Sequence, residues 1–293
     1  MENKTPLTIL VILIMMLSGY ATIGGIFSSG GEGNYTYESI RGETVVIYGK
    51  GLYAHMSADV AIQGIAQDII TLFLGIPVLL LALIGARRGS VRSRFLLTGT
   101  AMYFFVTYLF YMAMGMYNSM FLVYVCLAGL SLFTLFLLLI PYRREEIPEL
   151  FSEKTPAKTA GTMLMVISGL IALLWLSAIV PPLLDGSIYP ENLDHYTTMI
   201  VQGFDLGLLL PIAFVLGVLL RKRSWLGYLA GTVYWVFLAF LMTALTAKLV
   251  AMGLHDVNII PAVFIIPLFN LVAIIMAIRL LRALKKTSNT VTH

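Results

Sequence analysis

The sequence predicts an all-α integral membrane protein. It reads as eight transmembrane helices in two four-helix repeats of the same orientation, with a small extracytoplasmic loop or hairpin after the first helix. Three observations carry this expectation. The 293 residues are 59% hydrophobic and only 12% charged, with a mean hydropathy of +0.91, far from the balance of a soluble domain. Eight apolar runs are each long enough to cross a hydrocarbon core of ~30 Å, which takes roughly 20 helical residues. Finally, Lys and Arg collect in alternate loops.

The runs are Leu7 to Phe27, Val60 to Ala86, Phe95 to Met116, Ser119 to Pro141, Ala160 to Val180, Met199 to Leu220, Trp225 to Val250 and Ile259 to Leu281. They are continuous rather than alternating, and a lipid-exposed backbone must satisfy its own hydrogen bonds, so helices are expected. The first run also resembles a signal peptide, with Lys4 before it and Ser18, Gly19 and Ala21 near its end. Its continuation through Ile26 and Phe27 favours a retained helix.

With the N-terminus placed in the cytoplasm, sixteen basic residues fall in inner segments: Lys4, Arg87, Arg88, Arg92, Arg94, Arg143, Arg144, Lys154, Lys158, Arg221, Lys222, Arg223, Arg279, Arg282, Lys285 and Lys286. Only Arg41, Lys50 and Lys248 fall on the outer side. This positive-inside pattern predicts a prokaryotic plasma-membrane protein with both termini cytoplasmic. It also accounts for the net charge of +4, so the expected partners are the lipid bilayer and a small polar solute or ion, and no nucleic acid. Trp225 is placed to anchor at the interface. Cys126 lies inside an apolar run with no partner and is read as packing.

Landmarks recur in order along the two halves: Gln63-Gly64 and Gln202-Gly203, Asp68 and Asp205, Pro77 and Pro211, Arg87-Arg88 and Arg221-Lys222, Gly99-Thr100 and Gly231-Thr232, Ala113-Met114-Gly115 and Ala251-Met252-Gly253. The division follows: a first four-helix repeat over residues 1–141 with its outer loop at 28–58, a charged cytoplasmic linker at 142–158 that looks like a hinge, a second repeat at 159–283, and a cytoplasmic tail at 284–293. Within the outer loop, Thr44 to Tyr48 and Leu52 to His55, split by Gly49-Lys50-Gly51, read as a small hairpin.

Polar residues begin both second helices. His55, Asp59, Gln63, Gln67 and Thr71 recur every four residues, and His195, Thr198, Gln202 and Asp205 every three or four, so each set predicts one helical face. Asp68 lies beside the first stripe. A carboxylate facing lipid at the depth of Asp68 or Asp205 is unfavourable by up to a few kcal/mol, so both are expected to face the bundle interior. Gln63, Gln67 and Gln202 can bond across helices. Thr100, Tyr103, Thr107 and Tyr111 share a face of the third helix, and Thr232, Trp235 and Thr243 repeat the device on the seventh. Lys248 is expected to pair with one of the aspartates. The substrate- or ion-binding candidates are therefore Asp68, Asp205, Gln63, Gln67, Gln202, Lys248, Asp59 and Tyr103.

His55, His195 and His255 fall at the outer face near Asp59, Asp194 and Asp256. Imidazole with carboxylate can hold Zn or Cu, which makes these the metal candidates. No Walker A loop, dinucleotide-binding glycine fingerprint or GxSxG elbow is present. The tyrosines and methionines of the third and fourth helices read as packing or lipid-facing bulk. The function expected is binding, extended to transport, of a small polar or ionic solute in a site between the halves. The alternatives are a metal-dependent membrane enzyme with an outer His/Asp site, and a noncatalytic sensor or assembly subunit.

Overall fold

The computed structural model describes residues 4–190, 193–255 and 257–285. Among these, eight helices are long and apolar enough to cross a membrane, and the chain is a multi-pass membrane protein. The first span is α1 (Lys4–Phe27). A hairpin follows, with strands β1 (Tyr35–Glu38) and β2 (Thr44–Ile47). The second span joins α2 (Ala58–Ile70) to α3 (Ile76–Arg87) through a π turn at Thr71–Gly75. Then come α4 (Val91–Met114), α5 (Phe121–Leu139) and a short α6 (Glu146–Glu149). The fifth span is α7 (Ala157–Asp185). The sixth joins α8 (Ile200–Phe204) to α9 (Leu210–Arg221) through a π turn at Asp205–Leu209. The seventh is a π turn at Gly227–Gly231 running into α10 (Thr232–Leu254), and the eighth is α11 (Ala262–Ala283).

The spans arise as their composition dictates, and local chemistry sets several ends. Ser90 accepts a hydrogen bond from the Ser93 amide at 3.2 Å and caps α4. Helix α7 stops at Gly186, whose φ of 82° ends the helix in the left-handed region. Both π turns in the second and sixth spans lead into a twelve-residue helix with proline near its start, Pro77 and Pro211, and arginine at its end, Arg87 and Arg221. A π turn inserts one extra residue into the helical ladder, often beside a functional site.

Helices α1 to α5 close a ring, with α1 against α2, α3 and α5, and α4 against α3 and α5. In the second half α7 packs on α9 and α10 on α11, while α7 barely meets α11. Helix α10 joins the halves by crossing α4 and α2. At that crossing a Cβ on Gly99 would strike Val236 and the carbonyl oxygen of Val233. Gly161 and Gly217 make a similar reciprocal approach between α7 and α9, the use of small residues expected where apolar helices pack in lipid. The outward side of α7 shows Leu173, Leu183 and Leu184.

Four local expectations change. The hairpin pairs Tyr35 with Ile47 and Glu38 with Thr44, so it uses the strand before Thr44 rather than the one after. Gly49 (φ 67°) and Gly51 (φ 57°) instead turn the chain into a short 3-10 helix, Gly51–Tyr53, docked by Gly51 N–H to the Gly30 carbonyl at 2.6 Å. The linker is no free hinge. Ile147 is buried, Phe151 stacks on Tyr228 at 4.6 Å, and main-chain bonds tie Ser152 to Ala283 and Lys285 to Leu150. Arg92 adds to the clamp by donating to the Leu284 carbonyl at 2.8 Å. Apolar residues inside the charged segment, invisible to a net-charge reading, cause this docking. Finally, Cys126 is exposed on α5, because that helix turns Tyr124 and Leu127 inward.

Candidate functional site

Asp68 sits on α2, one turn before the π turn, and is 2% exposed. Its Oδ2 accepts from the Tyr53 hydroxyl at 2.5 Å and its Oδ1 from the Tyr111 hydroxyl at 3.1 Å. Tyr111 Oη also lies 3.0 Å from the Gly64 carbonyl. The socket for the Tyr53 ring exists because two glycines leave space. A Cβ on Gly64 would press against the ring, and one on Gly25 of α1 would land on the Asp68 carboxylate. Tyr108 and Tyr124 stack behind Tyr111, with Tyr111 and Tyr124 centroids 5.3 Å apart. Of the two readings of these tyrosines, packing and lipid-facing bulk, the structure shows packing: they cluster against Asp68 because α4 and α5 turn Tyr108 and Tyr124 inward.

Beside this cluster, Gln67 donates to the Tyr103 hydroxyl at 2.8 Å, and Thr71 lies 2.8 Å from the same oxygen. Tyr103 in turn meets Phe240 of α10 at 5.4 Å. Gln67, Thr71, Tyr103 and Thr107 thus form one hydrogen-bonded strip between α2 and α4, as their spacing implied. Thr100 bonds within its own helix, to Leu96.

In the second half Asp205 is the first residue of its π turn, whereas Asp68 precedes its own by three residues. Counted from that turn, Asp205 occupies the place of Thr71, and Gln202 that of Asp68. The carboxylates are offset by about one helical turn along their spans, ~4.5 Å. Asp205 accepts one hydrogen bond, from Trp175 Nε1 of α7 at 2.8 Å. Thr243 meets Asn270 at 3.0 Å. Thr232 and the Trp235 indole are buried without hydrogen-bond partners among the described residues.

Lys248 lies on α10 and interacts electrostatically with both Asp68 and Asp205. Among the described residues it has no carboxylate within 4.0 Å. The expected contact ion pair is replaced by a lysine held at longer range from two carboxyl groups, because each aspartate has taken partners within its own half. Gln63 and Gln202 make no side-chain hydrogen bond among the described residues.

Between the halves, at the hairpin end, lies a cavity of about 350 Å³, lined by Val60 of α2, residues 113–117 at the end of α4, and residues 193–202. Gln202 and His195 reach it; Asp59 is exposed in the first turn of α2, near the rim. Phe110 meets Phe204 at 5.3 Å where α4 passes α8.

The rim is set by the hairpin. Arg41 donates to the carbonyl oxygens of Asp194 and Tyr196, the Tyr196 hydroxyl accepts from the Ser57 amide at 3.2 Å, and His195 Nε2 lies 3.0 Å from the His55 carbonyl. These contacts correct the sequence stripes at their outer ends. His195 and Thr198 precede α8, and His55 precedes α2. Asp194 adopts φ 50°, and its carbonyl, which a helix would use internally, serves Arg41 instead. The i,i+4 geometry imagined for His55 and Asp59 is therefore absent. Among the described residues no three His, Cys, Asp or Glu come together as metal ligands. His255 is exposed, and its neighbour Asp256 lies outside the described residues.

Burial raises the Asp194 carboxyl above its ordinary value, opposed by Ser57 and His195 and reinforced by Asp59 and Glu43. The folded rim therefore keeps a proton that the unfolded chain releases. Stability is undiminished below the ordinary carboxylate value, falls as pH rises from there through the raised value, and stays lower above it. Asp194→Asn is expected to remove this fall. Compared at about pH 4 and about pH 7, the variant should lose less melting temperature than the wild type. A larger loss in the variant would refute this account of the rim.

Tyr53, Trp175 and Gly25 were not legible as site residues. Tyr53 lies in the loop after the first span, Trp175 in a featureless apolar run, and a glycine carries no chemical signal. Nothing among family models, curated proteins or solved structures matches the chain.

Proposed function

We propose that the protein binds a small cationic solute or ion between its two halves and carries it across the membrane. The observation that supports this most is the cavity at the hairpin end, from which Gln202 leads to Asp205 one turn deeper. Two carboxylates and one ammonium leave a formal surplus of one negative charge, which a cation or a proton can meet. Glu43, Asp59 and Asp194 interact at the rim and add attraction for cations. The repeated π turn, proline and terminal arginine favour an internal duplication, and duplicated halves of the same orientation can rock about an axis along the membrane normal. The basic loops opposite the hairpin favour cytoplasmic termini in a prokaryotic plasma membrane.

Radiolabelled sodium and methylammonium uptake into proteoliposomes tests the reading. The wild type should exceed protein-free liposomes for at least one of them. The Asp68→Asn, Asp205→Asn double variant should lose at least about ten-fold of that excess, the factor that one pKa unit's worth of interaction represents. Uptake of neither cation above the protein-free level, or equal uptake by wild type and double variant, would overturn it.

A further inference from the structure

The two aspartates look alike in the sequence, but the fold treats them differently. Asp68 accepts a phenol hydroxyl on each oxygen, from Tyr53 on Oδ2 and from Tyr111 of α4 on Oδ1, and Gly25 of α1 approaches so closely that a Cβ there would land on the carboxyl group. Asp205 has one donor, the Trp175 indole, on Oδ2. Its other oxygen makes no hydrogen bond to the described residues and is not among the occluded polar atoms. The residue is partly exposed, with Gly203, Gly207 and Leu208 exposed on the same short stretch. The glycines beside it form no socket: a Cβ at Gly203 or Gly207 would meet nothing within 4 Å among the described residues.

Charge points the same way. A carboxyl group whose two oxygens each accept a phenol hydroxyl is held in place by those bonds, whereas one holding a single neutral indole keeps an oxygen open to a cation or a proton. Among the described residues the groups facing Asp205 are Trp175 from α7, and Lys248 and Tyr234 from α10, with Lys248 the one cation acting on it. Lys248 is shared with Asp68, so it cannot neutralise both.

From this asymmetry we infer that Asp205 is the exchangeable site, taking a proton or a small monovalent cation through the free oxygen, and that Asp68 is a fixed anchor tying the outer segment to the first half. The assignment rests on the solute-binding reading for its entry path past Gln202, but the occupancy of the two carboxyls is measurable without any transport.

Dicyclohexylcarbodiimide, an apolar reagent that modifies protonated carboxyl groups within membranes, reads that occupancy directly. Wild-type protein in liposomes is labelled and the modified peptides are quantified by mass spectrometry. Asp205 should be labelled about ten-fold or more over Asp68, and its labelling should fall as pH is raised or as sodium is added, since both displace the proton. Opening the socket with Tyr53→Phe should raise Asp68 labelling while leaving Asp205 unchanged. Labelling of Asp68 equal to or above that of Asp205 overturns the assignment, as does Asp205 labelling that ignores both pH and sodium. The same labelling pattern with no cation uptake would retain the exchangeable carboxyl and reject transport.

Discussion

Gly25→Leu is expected to collapse the Asp68 site and to lower the stability of the whole bundle. The side chain of residue 25 must begin where the Asp68 carboxylate now sits, with Asp68 Cγ and Tyr53 Oη both 2.9 Å from the position of the new Cβ. Neither neighbour can retreat freely, since the carboxylate is fixed by two hydroxyls and the Tyr53 ring is pressed on Gly64. Losing hydrogen bonds to a carboxylate costs about 1.5–3 kcal/mol and overpacking a tight site about 1–3 kcal/mol, so the combined loss should reach at least about 2.5 kcal/mol. Gly24→Ala is the control. Its new Cβ meets the flexible end of Met120 at 3.1 Å, and a loss below about 1 kcal/mol is expected. Denaturation in detergent micelles compares the two. Equal midpoints for Gly25→Leu and wild type would show that Asp68 is not held as described.

Gly99→Leu should separate the halves where they are most tightly joined. Helices α4 and α10 cross at this glycine, and the added atoms would strike the branched Val236 side chain and the Val233 carbonyl oxygen. A backbone oxygen cannot rotate away, so the helices must part, and the Tyr103–Phe240 contact deeper in the same seam goes with them. Overpacking typically costs about 1–3 kcal/mol, and loss of an aromatic pair adds about 1 kcal/mol. Gly129→Leu, whose Cβ meets nothing within 4 Å, should be nearly neutral. If the two variants unfold alike, the seam is not where the halves are held.

Some of the site was readable from residue spacing alone. Gln67, Thr71, Tyr103 and Thr107 lie on helices, where periodicity decides which side chains share a face, and they meet as that periodicity requires. The readings that changed all lie where the chain leaves helical geometry. His55 and His195 were given helical neighbours, yet both precede their helices. β propensity does not say which neighbour a strand will pair with, and Thr44–Ile47 pairs with the strand before it. The linker was read from its charges while Ile147 and Phe151 decided its packing. Counting landmarks set Asp68 against Asp205, whereas the π turns set Asp205 against Thr71.

By itself the sequence determined a multi-pass membrane protein, with eight helices among the described residues long and apolar enough to cross a membrane, because hydrocarbon thickness and the need to satisfy backbone hydrogen bonds favour apolar helices of this length. It also determined that the buried acids and amides must turn inward, since lipid offers them no partner. Only the tertiary structure decided which partner each acid found. Asp68 is met by a tyrosine reaching in from the loop after the first span, and Asp205 by an indole from the preceding span. Those contacts depend on where glycines let helices and rings come close, a three-dimensional fit that no one-dimensional spacing encodes.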